Sequence, residues 1–424
     1  MAFLSSEPIE SLFFFCRPTP TIAPHTAPTV PHNRSAQPRQ RRRTTQGKNL
    51  PKIESVEFCD VKLSLDRPTS FSNRTVTARH YGLVKIRSSE GIEGIGFCYV
   101  GSAGGGIFSA AVEQLLAPVL IGKESLAIEG LWQTMYQESL LQGRSGTVMR
   151  ALSALDTALW DLNARASSLP LHKYLGAVEL ESVPAYASGG YYLDGKSPQM
   201  LGEEMASFVA KGFKAVKMKT GRLSPHEEEQ RVKAARDAIG ADVELMLDCN
   251  NGWTDTTQAM RYISRFEAYD PYFIEEPFGP DDIDSHAKLA RLTRIPVATA
   301  EIGYGRWYHK ELLDKGAASI LQSDALVCGG ITEWKRIAAT AASYGVVMCP
   351  HWFHDVHAPL VAATPNARYV EFFWDDQVLN FRRLIDRQLE HQNGRVILHQ
   401  TPGLGFGFDD KAVQKYARWA SVRA

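Results

Sequence analysis

Eight short apolar runs between Val183 and Trp374 each end in a polar or charged side chain. They recur about every 20 to 30 residues, which is roughly the length that one strand, one helix and two loops occupy. The spacing therefore predicts repeated strand–helix units that close into a parallel barrel. Because all strands of such a barrel end at one face, the terminal side chains should converge there. They are Ser188, Lys219, Asp248, Glu275, Glu301, Asp324, His351 and Glu371.

Three of these side chains, Asp248, Glu275 and Glu301, are carboxylates at the ends of consecutive predicted strands. Three carboxylates brought to one point repel each other unless a cation lies between them. Mg²⁺ prefers oxygen ligands and keeps coordination positions for substrate oxygens. We therefore predict that the three acids bind Mg²⁺. For any one acid alone, a salt bridge at the mouth of a loop is the simpler interpretation.

Two lysines, Lys217 and Lys219, alternate with Val216 and Met218 along one predicted strand. Successive side chains of a strand point to opposite faces, so both ammonium groups should point into the barrel. A nearby cation disfavours protonation, and we expect Lys217 and the metal to lower the pKa of Lys219, which would then serve as a base. The alternative for a single lysine is a structural salt bridge.

A histidine, His351, ends the seventh predicted strand next to Asp324 at the end of the sixth. The carboxylate can fix the imidazole tautomer and raise its basicity, so the pair is predicted to form a second base opposite Lys219. A structural histidine is the simpler alternative. A second metal site that includes His354 and His357 is a further one.

A metal between two bases suits removal of the proton next to a carboxylate. Such a C–H group is a very weak acid, so the negative charge that develops must be stabilised in advance. The metal is expected to hold the substrate carboxylate and the enediolate. Glu371, if protonated, is expected to donate a hydrogen bond to the enediolate, and Ser188 to contact the carboxylate.

The elements that must position these groups follow from the apolar patterns. Residues 53–63, 80–88 and 93–100 alternate as strands of an antiparallel sheet, and residues 148–162 show helical spacing. We predict an extension at 1–51, an α+β domain at 52–180, a barrel at 181–384 and a segment at 385–424 that returns to the α+β domain. Loops at 66–71 and 99–106 are predicted to act as lids that set specificity. The eight barrel strands are read as VPAYAS, AVKMK, ELMLD, FIEEP, VATAE, SILQSD, VVMCPH and YVEFF, with seven intervening helices.

Composition excludes several classes of protein. The 424 residues are 44% hydrophobic, and 47 basic side chains balance 47 acidic ones, so neither the net charge nor a basic stripe favours nucleic acid. No apolar run approaches the roughly 20 residues that span a bilayer, so no membrane partner is expected. The six cysteines are scattered without metal-site spacing.

The first 51 residues are rich in proline and arginine and lack the apolar pattern of a core. An organelle transit peptide, a disordered leader and a misassigned start are the three interpretations. We expect a cytoplasmic enzyme, or an organellar one if the segment is a transit peptide.

As a set, these motifs resemble the enolase superfamily, and within it the mandelate racemase subgroup. The resemblance covers nearly the whole chain from Ile53 onward. The motifs that occur in family order are KMK (217–219), DCN (248–250), IEEP (274–277), VATAEI with Glu301, LQSDALVCGG with Asp324, PH (350–351) and VEFF with Glu371.

This resemblance implies a modified (β/α)₇β barrel with an α+β capping domain. It implies Asp248, Glu275 and Glu301 as Mg²⁺ ligands, supported by Asn250, with Lys219 and the His351–Asp324 pair as bases. It favours dehydration of an acid sugar to a 2-keto-3-deoxy acid, with racemisation of a 2-hydroxy acid as the alternative and a non-catalytic binding protein as a remote one. It also implies a homo-oligomer.

Overall fold

A computed structural model describes residues 51–375 and 379–424. The predicted N-terminal extension lies outside the described residues, apart from its last one. The described residues belong to one compact unit. In the part of the chain described, no helix is both long enough and apolar enough to cross a membrane.

The N-terminal part of the described chain is a capping domain built on an antiparallel sheet. Its first three strands pair in chain order, because alternating apolar residues give each strand a buried face. Strand β1 is longer than predicted. Its register with β2 shifts between Ser64 and Thr69, so most of the predicted loop at 66–71 belongs to an irregular strand end. The three strands are β1 (Ile53–Ser70), β2 (Thr75–Ser88) and β3 (Glu93–Tyr99).

A long central helix lies against this sheet. It corresponds to the predicted helix at 148–162 and carries a row of buried alanines and leucines. Its Asp161 accepts hydrogen bonds from the backbone N–H groups of Ile95 and Leu404, and so connects the sheet to the C-terminal segment. The helices of the domain are α1 (Gly105–Ala111), α2 (Ile128–Ser139), α3 (Gly146–Ala166) and α4 (Leu171–Tyr174), with a π-helical stretch at Val112–Leu116.

We predict that Gly96→Ala destabilises the fold, because Gly96 lets β3 approach α3 closely. A Cβ atom at Gly96 would lie 1.9 Å from the backbone oxygen of Ala154. Relief of this collision requires backbone movement, so we expect a loss of roughly 1–3 kcal/mol in the free energy of unfolding, measured by urea denaturation. The control is Gly130→Ala on the exposed face of α2, where a Cβ meets no atom within 4 Å. It should stabilise the protein by about 0.5–1 kcal/mol. Equal effects of the two substitutions would contradict this account.

The second part is a barrel of eight parallel strands. Strand β11 pairs with β4 and thereby closes the sheet, while an isolated bridge between Met348 and Ala367 connects the seventh and eighth strands. The eight predicted strands all occur, and the fold class is confirmed. The strands are β4 (Ser182–Gly189), β5 (Ala215–Lys219), β6 (Glu244–Asp248), β7 (Pro271–Glu275), β8 (Val297–Thr299), β9 (Ile320–Leu321), β10 (Val347–Met348) and β11 (Val370–Phe372).

Helices occupy each of the seven connections between these strands. They cover the outside of the barrel with their apolar faces. A short 3₁₀ turn at Glu267–Tyr269 follows the third of them. The helices are α5 (Pro198–Ala210), α6 (Pro225–Ile239), α7 (Thr256–Phe266), α8 (Ile283–Leu292), α9 (Gly305–Asp314), α10 (Ala325–Cys328), α11 (Gly330–Ser343) and α12 (His354–Ala362).

The interior of the barrel contains an apolar layer beneath a polar one. On β6 the buried Met246 precedes Asp248 by two residues, and on β7 the buried Phe273 precedes Glu275 by two. Side chains two residues apart lie on the same face of a strand, so the charged groups stand directly above the apolar layer. That layer consists of Tyr186, Ala215, Met246, Phe273, Ala298, Ile320 and Cys349.

The C-terminal segment at 385–424, for which the sequence predicts a return to the capping domain, pairs with strands of both parts of the fold. Strand β13 pairs antiparallel with β4, because β4 extends beyond its parallel partners at Ser182 to Pro184 and offers its edge there. The end of the chain does reach the capping domain, where β14 pairs with β1. After a 3₁₀ turn at Asn380–Leu384, the elements are β12 (His391–Gln392), β13 (Arg395–Ile397), α13 (Asp410–Gln414) and β14 (Ala420–Arg423).

Candidate active site

The predicted side chains meet at a cavity of about 350 Å³ between the barrel face and the capping domain. The predicted loop at 99–106 contributes Tyr99 to Ser102 to its wall, and Phe71 contributes from the turn after β1. Asp248 and Glu275 lie beneath the cavity floor and are fully buried. The predicted site residues that line the cavity are Lys219, Asn250, Glu301, Asp324, His351 and Glu371.

Strand register brings the two lysines to the acids. Lys219 pairs with Asp248 across β5 and β6, and Asp248 with Glu275 across β6 and β7. The Lys219 ammonium contacts Asp248 Oδ2. Lys217 Nζ lies 2.6 Å from Glu275 Oε2 and 2.8 Å from Glu371 Oε1. Both lysines therefore point into the barrel, as the alternation predicts.

The pKa of Lys219 differs in direction from the prediction. Burial lowers this pKa, and the charge of Lys217 lowers it further, as expected from the sequence. Attraction by Asp248, which the ammonium contacts, together with that of Tyr191 and Glu275, outweighs these effects and raises the pKa above its usual value. These neighbours therefore favour the ammonium form of Lys219.

Two oxygen atoms at the predicted metal site, on Glu275 and Asn250, lack a hydrogen-bond donor. Glu275 Oε1 and Asn250 Oδ1 are buried without a hydrogen-bond partner. Burial, together with repulsion from Asp248, raises the pKa of Glu275 well above its usual value. Among the described residues, no three acidic, histidine or cysteine side chains are close enough to hold a metal ion. These oxygen ligands nevertheless fit a hard divalent cation, which would bind the oxygen atoms that lack a hydrogen-bond partner.

A fourth carboxylate, Glu276, was not assigned from the sequence. Glu276 is 1% exposed and has a φ of 41°. Asn251 Nδ2 donates to its Oε2 at 3.0 Å. Burial and repulsion from Glu301 raise its pKa well above the usual value. The consecutive glutamates of IEEP were the available signal, but strand alternation alone places the second one outside the barrel.

His351 and Asp324 form the predicted pair. His351 Nδ1 lies 3.1 Å from Asp324 Oδ2, and its Nε2 lies 3.5 Å from Glu301 Oε2. Burial lowers the pKa of His351, but the charge of Glu301 and the hydrogen bond to Asp324 raise it to about 9. The imidazole is thus held between two carboxylates.

The neighbouring histidines do not form a second metal site in the described structure. His357 Nδ1 lies 3.1 Å from the backbone oxygen of Trp352, and its Nε2 accepts from Ala325 N at 3.0 Å. The ring of His354 lies 4.6 Å from that of Phe372. Both side chains therefore belong to the packed interior.

The hydrogen bond expected from Glu371 requires a protonated carboxyl group, and the surroundings of Glu371 favour the ionised form. Its Oε2 accepts from the backbone N–H of Trp352 at 2.7 Å, and its Oε1 faces Lys217. Although burial raises the pKa of Glu371, Lys217 and His351 lower it to about 2. The carboxylate is ionised and both oxygens have donors, so it cannot donate a hydrogen bond to an enediolate.

Ser188 does not line the same cavity as the other predicted residues. It lines a neighbouring cavity of about 460 Å³. Tyr191 and Phe373 border both cavities and form the wall between them. The prediction that Ser188 contacts the substrate carboxylate is therefore not supported by its position.

The capping domain adds residues that the barrel pattern could not indicate. The Lys219 ammonium lies 5.2 Å from the ring centroid of Phe71, which belongs to this domain, and 5.3 Å from that of Tyr191, which follows β4 of the barrel. Arg79 and Arg150 line the cavity on the side of the capping domain. No signal in the sequence distinguishes these arginines from surface ones.

Comparison with known proteins agrees with this geometry. Residues 53–176 match the family model of the mandelate racemase/muconate lactonizing enzyme N-terminal domain, and residues 200–412 match the enolase C-terminal domain-like model. The L-talarate/galactarate dehydratase of Salmonella typhimurium is 34% identical over 380 residues, which cover 88% of this chain and 92% of that protein. The D-galactarolactone cycloisomerase of Agrobacterium fabrum is 33% identical over 381 residues, which cover 86% of this chain and 98% of that protein.

A solved structure shows the same architecture. The Salmonella typhimurium dehydratase liganded with Mg and L-lyxarohydroxamate superposes with a TM-score of 0.82 at 29% identity, covering 92% of this chain and 98% of that one. Together, the two family models span both parts of the fold and include every predicted metal and base residue. The chain belongs to the mandelate racemase/muconate lactonizing enzyme group of the enolase superfamily.

Proposed function

We propose that this protein is a Mg²⁺-dependent dehydratase that converts an acid sugar to a 2-keto-3-deoxy acid. The observation that carries the proposal is the placement of Lys219 and His351 in one cavity, with Glu301 in its wall and the buried Asp248 and Glu275 next to Lys219. The names of the relatives support it, since the Salmonella typhimurium protein is a dehydratase of acid sugars whose structure contains Mg.

The residues of this chain would divide the reaction between them. When bound to the three acids, Mg²⁺ supplies positive charge that stabilises the negative charge developing on the substrate carboxylate. Lys219 would accept the α-proton, since a cation held by Asp248 would offset the attraction that raises the pKa of Lys219. His351 donates a proton to the β-hydroxyl group, which leaves as water. The resulting enol tautomerises to the 2-keto acid.

Isomerisation is the second candidate function. The relative from Agrobacterium fabrum is a cycloisomerase, and a racemase would use the same two bases on opposite faces of the α-carbon.

The test that distinguishes the two functions is a screen of acid sugars with Mg²⁺ in D₂O. A dehydratase forms a 2-keto acid, which semicarbazide detects, whereas an isomerase incorporates deuterium or rearranges without loss of water. If no acid sugar exchanges its α-proton or reacts, the proposal is wrong.

We predict that Mg²⁺ stabilises the fold through Asp248. A ligand at about 100 times its Kd stabilises a protein by about 2.7 kcal/mol, so the melting temperature should rise on addition of Mg²⁺ and fall again with EDTA. Asp248→Asn should abolish this shift. Asp242→Asn, an exposed aspartate before β6, should preserve it. An unchanged Mg²⁺ shift in Asp248→Asn would contradict the assignment of this ligand.

A further inference from the structure

Arg79 has a buried charge without an acidic partner. It lies on β2 opposite Leu63 and is 4% exposed. Its Nε atom is buried and has no hydrogen-bond partner, and within residues 51–375 and 379–424 no carboxylate forms an ion pair with it. Its guanidinium carbon lies 4.4 Å from the ring centroid of Trp352 and 5.5 Å from that of Tyr99. Aromatic contacts compensate only part of the cost of burying a charge.

Two other cations in this cavity have carboxylate partners. Lys219 contacts Asp248, and His351 lies beside Asp324. Arg150 has no such partner among the described residues, and it adjoins Arg79, since both contact Tyr99. Its Nη1 donates to the backbone oxygen of Tyr99 at 2.8 Å, and its Nε donates to Tyr304 Oη at 3.2 Å. The capping side of the cavity therefore carries uncompensated positive charge, while the barrel side carries the acids.

We propose that Arg79 binds a second carboxylate of the substrate, so that the preferred substrates are aldaric acids, which carry a carboxylate at each end. The proposal rests on the proposed function, in which the first carboxylate belongs to the metal-binding acids. A guanidinium presents two parallel N–H groups that match a carboxylate, and the resulting bond is strong because both groups are charged. The terminal hydroxymethyl group of an aldonic acid, which has one carboxylate, would leave the arginine charge unpaired.

The experiment compares six-carbon aldaric acids with aldonic acids of the same configuration at the carbons they share. For the pair of acids that the enzyme converts, we expect the wild-type kcat/KM to be roughly 10- to 100-fold higher for the aldaric acid than for the aldonic acid. Arg79→Gln should lower kcat/KM for that acid by a similar factor, mainly through KM, and change the aldonic value by less than about threefold. Arg79→Lys should give a kcat/KM for the aldaric acid between those of wild type and Arg79→Gln. Arg87→Gln removes the same charge from β2 at a 46%-exposed position and should change neither value.

Two other outcomes separate the failure of this inference from failure of the proposed function. If both acids react equally well, or if Arg79→Gln lowers both values equally, Arg79 has only a structural role and the inference is wrong. If wild type with Mg²⁺ converts neither acid, the proposed function fails, and dissociation constants from titration calorimetry replace kcat/KM. Selective binding of the aldaric acid that Arg79→Gln removes would still support the inference, and equal binding would overturn it. Arg79→Lys serves if the glutamine variant does not fold.

Discussion

Replacement of Lys219 by alanine or arginine should reduce α-proton exchange and 2-keto acid formation by roughly 100- to 10,000-fold, the range expected for loss of a general base. Alanine has no basic group. Arginine preserves the positive charge beside Asp248 but does not deprotonate in proteins. The two variants therefore separate charge compensation from proton transfer. The measurements are deuterium incorporation by NMR and kcat for the acid sugar found in the screen.

The control for Lys219 is Lys214→Ala, which removes an exposed ammonium just before the same strand. It should retain wild-type activity. Lys219→Ala removes the ammonium group that contacts Asp248, so the folding of the variant must be checked. Melting temperatures of all variants provide this check. If Lys219→Arg keeps wild-type exchange, Lys219 is not the base, and the ion pair with Asp248 is its main role.

Replacement of His351 by asparagine should reduce 2-keto acid formation by roughly 100-fold or more, because His351 is the group proposed to protonate the leaving hydroxyl. Asparagine can still hydrogen-bond to Asp324 but cannot transfer a proton. Exchange of the α-proton should persist in this variant if Lys219 removes that proton. The difference between exchange and dehydration is therefore the informative quantity, and both are measured on the same sample in D₂O.

Loss of exchange and dehydration together in His351→Asn would assign proton abstraction to His351 instead of Lys219. Retention of half or more of the dehydration rate would contradict any role for His351 in the chemistry. His226→Asn, an exposed histidine on α6, is the matched control and should behave like wild type.

The barrel could be predicted because its signals are local. Apolar runs of strand length, helical spacing and the alternation of side chains along a strand all act over a few residues. This alternation places Lys217, Lys219, Asp248 and Glu275 inside the barrel, and the structure shows them there. The strand ends were predicted less well. Strands β8, β9 and β10 end two to three residues before Glu301, Asp324 and His351. Strand β1 continues through 66–71, where turn formers belong to an irregular strand.

Properties that depend on neighbours from other elements could not be predicted. Glu276 lies inside because the backbone turns at the end of β7, with a φ of 41°. Arg79 reaches the cavity because the capping sheet lies over the barrel mouth. Ser188 lies in a different cavity because Tyr191 and Phe373 separate it from the other predicted residues.

Short-range periodicity along the chain is enough to predict the fold class, the order of the strands and the types of group near their ends. The pKa values of those groups depend on the tertiary structure. Asp248 raises the pKa of Lys219, and Lys217 and His351 lower that of Glu371. Such pKa values depend on burial and on distances of a few ångströms between distant residues, and no pattern along the chain contains them.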